Sequence, residues 1–232
     1  MEEKVRTGIP GLDGMIEDGF EKNSVVMVAA GSGCGKTTFA LQFLHAGAAQ
    51  LGENGLFITL EEDKKQVFKH MLSFGWDFAA LEGEGKIKVL EYPPTEIARF
   101  INEAGVIADM IEENDIKRVV VDSVTSLVLL SESEYQRRES FLKTMKMLKR
   151  WGVTCMLTSE AREFNGEVRA RFGIEYLADG FITIHTIRKR EAREQALEVV
   201  KMRGINHMKK MVPMKITDKG VVLYPEQHVF TD

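Results

Sequence analysis

The stretch Ala30-Gly31-Ser32-Gly33-Cys34-Gly35-Lys36-Thr37, continued by Thr38, carries the strongest chemical signal in the chain. Its glycines let successive backbone N–H groups turn inward as a concave anion site, and a helix starting behind them would add the partial positive charge of its N-terminus. Lys36 can neutralise β- and γ-phosphates, and the Thr37 hydroxyl is a hard oxygen ligand for Mg²⁺. Gly31, Ser32, Gly33, Cys34, Gly35, Lys36, Thr37 and Thr38 are therefore expected to hold ATP with Mg²⁺. Ala30 stands where the strict pattern has glycine, and Cys34 reads as a small filler or an exposed thiol.

Carboxylates follow two apolar runs. Asp122 ends Val119–Val121 and is expected to support the metal, although an Asp-Ser-Val-Thr-Ser turn would also favour it. Glu61 and Glu62 follow Leu56–Leu60, where a carboxylate can orient and deprotonate the water that attacks a γ-phosphate. The alternative is that Glu61-Glu62-Asp63 complements the dipole of the next helix. Thr158 and Ser159 end the run Val153–Leu157, as γ-phosphate sensors or as solvated strand-end residues. Lys201 and Arg203, two apart on an expected strand, point to one face and suit a triphosphate or a solvated edge.

The elements that must position these residues show a regular rhythm. Short β-branched runs (Val25–Ala29, Leu56–Leu60, Ile87–Leu90, Val119–Val121, Val153–Leu157) alternate with helical periods over Thr37–Leu51, Lys64–Phe74, Thr95–Glu113 and Ser133–Trp151. That alternation predicts an α/β fold with a mainly parallel central sheet flanked by helices. From Phe181 the runs Phe181–Thr186, Ala196–Lys201, Val212–Ile216 and Val221–Tyr224 follow one another without helices, which predicts a C-terminal antiparallel extension. Residues 1–232 read as one domain with a turn-rich N-terminal segment.

The 31 basic and 35 acidic residues leave a net charge of −4, so no global cationic field collects nucleic acid or anionic lipid. Local patches remain: Arg162, Arg169 and Arg171 in the expected polar loop Ala161–Gly173, and Arg188, Lys189, Arg190 and Arg193 in a hairpin. Phe164 and Phe172 offer stacking surface for single-stranded DNA, but Glu163, Glu167, Glu191 and Glu194 dilute both patches, so a solvated or partner-facing role is favoured. Lys143, Lys146, Lys149 and Arg150 suit the C-terminal end of their helix. Two separated cysteines, Cys34 and Cys155, give no disulfide framework, and no run approaches the ~18 apolar residues of a membrane span. A cytoplasmic protein with no membrane partner is expected.

Thr7-Gly8-Ile9-Pro10-Gly11-Leu12-Asp13, the phosphate loop, Leu60-Glu61-Glu62, Val121-Asp122-Ser123-Val124-Thr125-Ser126, Lys201-Met202-Arg203-Gly204 with His207, and Ile216-Thr217-Asp218-Lys219-Gly220-Val221 together resemble the RecA-like ATPases, and within them the KaiC family. The resemblance is collinear over nearly the whole chain. It implies a homo-oligomer, a hexameric ring or related polymer, with ATP at subunit interfaces. It also implies paired glutamates at the attacking water, Lys201 and Arg203 reaching a neighbour's γ-phosphate, and a nucleotide contact from His207, for which a surface histidine is the alternative reading. Asp18-Gly19-Phe20 departs from the family's paired glycine, and no counterpart of its autophosphorylated hydroxyl pair is found.

Overall fold

The computed structural model describes residues 3–129, 133–164, 167–170, 173–189 and 192–229. Arg171, Phe172, Arg190 and Glu191, named above as parts of basic patches, lie outside the described residues. Two short strands, β1 (Lys4–Val5) and β2 (Phe20–Glu21), pair antiparallel across the N-terminal turns. There follow β3 (Val25–Ala30), α1 (Lys36–Ala46), β4 (Asn54–Thr59), α2 (Lys64–Leu72), α3 (Phe78–Gly83) and β5 (Ile87–Glu91). The middle of the chain forms α4 (Ile97–Asn102), α5 (Ala104–Glu113), β6 (Ile116–Asp122), α6 (Thr125–Leu129) and α7 (Glu134–Arg150). The rest is strand: β7 (Thr154–Phe164), β8 (Glu167–Ala170), β9 (Gly180–Lys189), β10 (Ala192–Met202), β11 (Val212–Thr217) and β12 (Gly220–Leu223).

The main sheet runs β12-β11-β10-β9-β3-β7-β6-β4-β5, with β8 paired to the outer part of β7. From β9 to β5 every neighbouring pair is parallel, and β9, β10, β11 and β12 pair antiparallel in sequence order. The expected mainly parallel sheet with an antiparallel extension is thus the observed one. Strand alternation divides the core. Val26, Val28 and Ala30 of β3 face the layer of α1, α2 and α3, whereas Val25, Met27 and Ala29 face the layer of α4, α5 and α7. Both faces of β3 are buried, as a parallel strand between two helical layers requires.

Several boundaries differ from the sequence expectation. The helix expected over Thr37–Leu51 is α1 followed by a π-helical turn, Gly47–Leu51, and Gly52 closes it at φ 70°. That position suits glycine, which has no Cβ to clash there. The single helix expected over Thr95–Glu113 is a turn, Pro94–Glu96, then α4 and α5, separated at Glu103, whose side chain is drawn to Arg99 and Tyr92. The expected polar loop Ala161–Gly173 is a hairpin instead, because β7 continues to Phe164 and pairs antiparallel with β8. The adjacent charges of Arg162 and Glu163 between Ala161 and Phe164 break the apolar–polar alternation that would mark a strand. The short α3, capped by Asp77 accepting from Ala80 N, is a further element the apolar periodicity did not predict.

Candidate functional site at the phosphate loop

The loop leaves the C-terminal end of β3, where parallel α/β sheets bind ligands. Gly33 and Gly35 adopt φ of 73° and 85°, and a Cβ on Gly35 would meet Ile216 Cδ1 at 2.5 Å. The backbone turn and the close approach of β11 both require glycine there. Gly35 stands directly before α1, so the helix N-terminus faces the loop's concavity. Lys36 Nζ donates to Gly31 O at 3.0 Å and so spans the loop mouth. Cys34 is buried, not exposed; its Sγ lies 3.2 Å from Thr186 Oγ1, and its carbonyl accepts from Gln195 Nε2 at 3.1 Å. β9 and β10 therefore brace the loop from behind, a long-range support with no local sequence signal.

Strand ends deliver the remaining groups. The end of β6 places Asp122 beside α1, where Thr37 Oγ1 donates to Asp122 Oδ2 at 2.6 Å and Thr158 Oγ1 donates to Oδ1. Burial pushes the Asp122 carboxyl above its ordinary range, and the hydrogen bonds from Thr158 and Thr37 oppose that without reversing it. A bound divalent cation would favour the charged form. β4 ends beside β6, tied by Leu60 N to Asp122 O at 2.7 Å, and this sets Glu61 and Glu62 at the same edge.

The two glutamates are held differently. Glu61 Oε1 accepts from Ser123 Oγ at 2.7 Å and from Ser126 Oγ at 2.8 Å. Glu62 is fixed through its backbone, with O accepting from and N donating to Thr59 Oγ1 at 2.7 and 3.2 Å. Its side chain makes no hydrogen bond to the described residues. Asp63 caps α2 by accepting from Lys65 N and Gln66 N, so the helix-dipole role falls to Asp63.

One cavity of about 600 Å³ joins these residues: Lys36, Thr37, Thr38, Glu61, Glu62 and Asp122 line it. Val67, Met71 and Phe74 with the polar His70 and Ser73 line it as well, and Ile216 joins them from beside Gly35. Apolar side chains beside a phosphate cradle suit a nucleotide base, and they come from α2, the turn after it and β11, which are distant from the loop in sequence.

Thr158 and Ser159 lie inside β7 and are buried, which removes the reading of solvated strand-end residues. Ser159 Oγ donates to Glu160 O at 3.1 Å and sits 3.4 Å from Thr125 Oγ1. Lys201 and Arg203 converge on one face, since Lys201 Nζ donates to Tyr176 O at 3.0 Å and Arg203 Nη2 to the same carbonyl at 3.4 Å. They are remote from the loop of their own chain. Asp179, which holds Arg203, pairs with Val25 at the start of β3, and the loop begins beyond Ala30 at its end. At ~3.3 Å per residue, roughly 17 Å or more of strand separates them. His207, in the connection from β10 to β11, is half-buried with Nδ1 3.4 Å from Ile205 O.

Comparison with known proteins gives a consistent answer. The family model described as "ATPase: KaiC" matches residues 5–228. The circadian clock oscillator protein KaiC of Synechococcus elongatus is 34% identical over 96% of this chain, which spans 44% of that protein's length. A UPF0273 protein of Thermotoga maritima is 33% identical over 98% of both chains. The crystal structure of a KaiC-like protein of Pyrococcus horikoshii superposes with a TM-score of 0.87 and 38% identity, covering 97% of this chain and 100% of that one.

Proposed function

Because the chain belongs to the KaiC ATPase family, we propose that it binds ATP with Mg²⁺ at the phosphate loop and hydrolyses it to ADP and phosphate at interfaces between copies of itself. The observation that carries this reading is the convergence of Lys36, Thr37, Asp122, Glu61 and Glu62 on one cavity. Backbone N–H groups of 31–37 and the N-terminus of α1 cradle the phosphates, Lys36 neutralises them, and the base lies toward Phe74, Met71 and Ile216. Thr37 Oγ1 and Asp122 Oδ2 offer hard oxygen atoms at one point and fit Mg²⁺, which would shield phosphate charge. Asp122 supports that ion directly or through water.

Glu62, whose carboxylate has no hydrogen bond among the described residues, takes a proton from the attacking water as the water oxygen bonds to the γ-phosphorus and the bond to ADP breaks. Glu61, anchored by two serine hydroxyls, fixes the turn that aims Glu62. Ser159 and Thr158 sit behind the γ-phosphate position, where Thr158 sets the Asp122 rotamer. Lys201 and Arg203 stand too far from their own loop to act in cis, which supports their use on a neighbour's γ-phosphate, with His207 at the same interface.

Calorimetry with MgATP and steady-state phosphate release, with and without single-stranded DNA, test this reading. Tight MgATP binding with turnover independent of DNA is the expected result. Absence of binding, or binding without turnover in the assembled state, would reject it.

A further inference from the structure

Asp179 occupies a junction that neither the phosphate loop nor the glutamates explain. Its Oδ2 accepts from Val25 N at 3.0 Å, and its own N–H donates to Val25 O at 2.8 Å, which locks it to the first residue of the loop-bearing strand. Its Oδ1 accepts from Lys149 Nζ at 2.8 Å and from Arg203 Nη1 at 3.2 Å, while its carbonyl accepts from Arg203 N at 2.9 Å. Burial alone would raise this carboxyl, but the hydrogen bonds from Lys149 and Val25 and the charges of Lys149 and Arg203 hold it below the ordinary range. The preceding carbonyls complete a cradle: Ala178 O accepts from Lys201 Nζ at 2.6 Å, and Tyr176 O takes both cations.

The guanidinium of Arg203 is thus held through both of its terminal nitrogens, Nη1 on Asp179 and Nη2 on Tyr176 O. The side chain is 54% exposed, so its remaining donors are within reach of solvent and of a further acceptor. A long, flexible arginine left unpinned would have to be ordered at the moment of reaction, with its rotamer entropy lost then. A residue joined to the backbone of Val25 by two hydrogen bonds, one through its carboxylate and one through its own N–H, removes that cost beforehand.

We propose that Asp179 is the positioning residue for the trans-acting cation pair, fixing the fork of Arg203 in the orientation that meets a neighbouring copy's γ-phosphate. This rests on the proposed hydrolysis at subunit interfaces. Asp179 touches no substrate and acts through Arg203.

The test compares Asp179→Asn, Arg203→Ala and Arg203→Lys, alone and mixed with Glu62→Gln under conditions where labelled subunits exchange. Asn keeps the shape and can still accept from Val25 N, so the variant should fold, as far-UV circular dichroism checks, and should bind MgATP with wild-type affinity at its own loop. Its turnover should fall roughly 10- to 100-fold, the scale set by misplacing a reacting group by about an ångström. Mixing it with Glu62→Gln should restore activity, as mixing Arg203→Ala with Glu62→Gln does. The double variant of Asp179→Asn with Arg203→Ala should be no slower than Arg203→Ala alone, because the two act as one unit.

Wild-type turnover in Asp179→Asn, multiplied losses in the double variant, or failure to complement where Arg203→Ala does complement would each overturn the positioning role and leave the trans reading standing. Failure of Arg203→Ala itself to complement, with exchange shown, brings down the trans reading and this inference together. Arg203→Lys tests the idea without touching Asp179. It keeps the charge but cannot bridge Asp179 and Tyr176 O through two nitrogens, so it should be slow; wild-type turnover would show that a pinned fork is unnecessary.

Discussion

Glu61 and Glu62 are adjacent in the chain, yet two serine hydroxyls hold one carboxylate while the other is tied only through its backbone. On the proposed mechanism that difference divides their labour. Glu62→Gln should leave MgATP affinity unchanged and lower turnover by roughly 10²-fold, the scale of a lost general base. Glu61→Gln and the Ser123→Ala, Ser126→Ala pair should show smaller and mutually similar losses, because each loosens the same anchor. Single-turnover phosphate release measures both, and equal losses at Glu61 and Glu62 would show that the anchored carboxylate also contacts the water. Lys36→Ala removes the charge across the loop mouth and should weaken MgATP at least 10-fold by calorimetry, with the melting temperature without nucleotide little changed. The phosphate loop and the strand-end carboxylates were legible in the sequence because their signals are local: a fixed spacing, or an acid directly after an apolar run. The serines on Glu61, the threonine on Asp122 and the apolar wall of the cavity were not, since each comes from a segment distant in sequence that only the sheet brings close.

The helix α1 carries the residues that follow the phosphate loop, and its second half is clamped from two sides. Gln42 takes Val221 N on Oε1 at 2.6 Å and gives Nε2 to Val221 O at 3.0 Å, which fastens α1 to β12. Near its end, Arg118 of β6 lies wholly buried, donating to Phe43 O at 2.9 Å and to Glu53, with its guanidinium 4.5 Å from the Phe43 ring centroid. Arg118→Ala should cost about 2–5 kcal/mol, the range for emptying a core position. Arg118→Met, which refills the volume without a buried charge, should cost much less. Denaturant titration separates the two, and equal losses would place the cost in the hydrogen bonds rather than the packing. His45, in the last turn of α1, stacks on Trp76 with centroids 5.3 Å apart, and burial holds its imidazole below the ordinary histidine range. The unfolded chain therefore binds a proton more readily, so the contribution of this group is present above the ordinary pKa of about 6.5 and shrinks as pH falls below it. Denaturation midpoints at pH 7.5 and 5.5 should diverge more in wild type than in His45→Gln. Element types were legible from strand and helix periods, but the break at Glu103 and the hairpin of β7 with β8 were not. Side-chain pairing fixed the first, and the second lay in a strand whose charged residues mask its alternation.

Across the whole molecule, the sheet places the nucleotide cavity at one end of β3 and the cation pair at the other. On the proposed assembly, turnover per subunit should rise with protein concentration through the association range and fall on dilution, tracked in parallel by sedimentation. A rate constant per subunit independent of concentration, in a protein shown to be monomeric, would remove the interface from the mechanism. Neither β3 nor β10 alone predicts this arrangement, because the distance between the two groups depends on strand order and register, and those emerge only once the parallel and antiparallel halves are joined. On that proposed assembly, the separation also gives each subunit an acceptor end and a donor end that cannot satisfy each other. A straight row of n copies then holds only n − 1 complete sites, with a spare cavity at one terminus and idle cations at the other. Bending the row until its termini meet adds one working site without adding a subunit, so a head-to-tail contact of this kind favours whichever curvature closes.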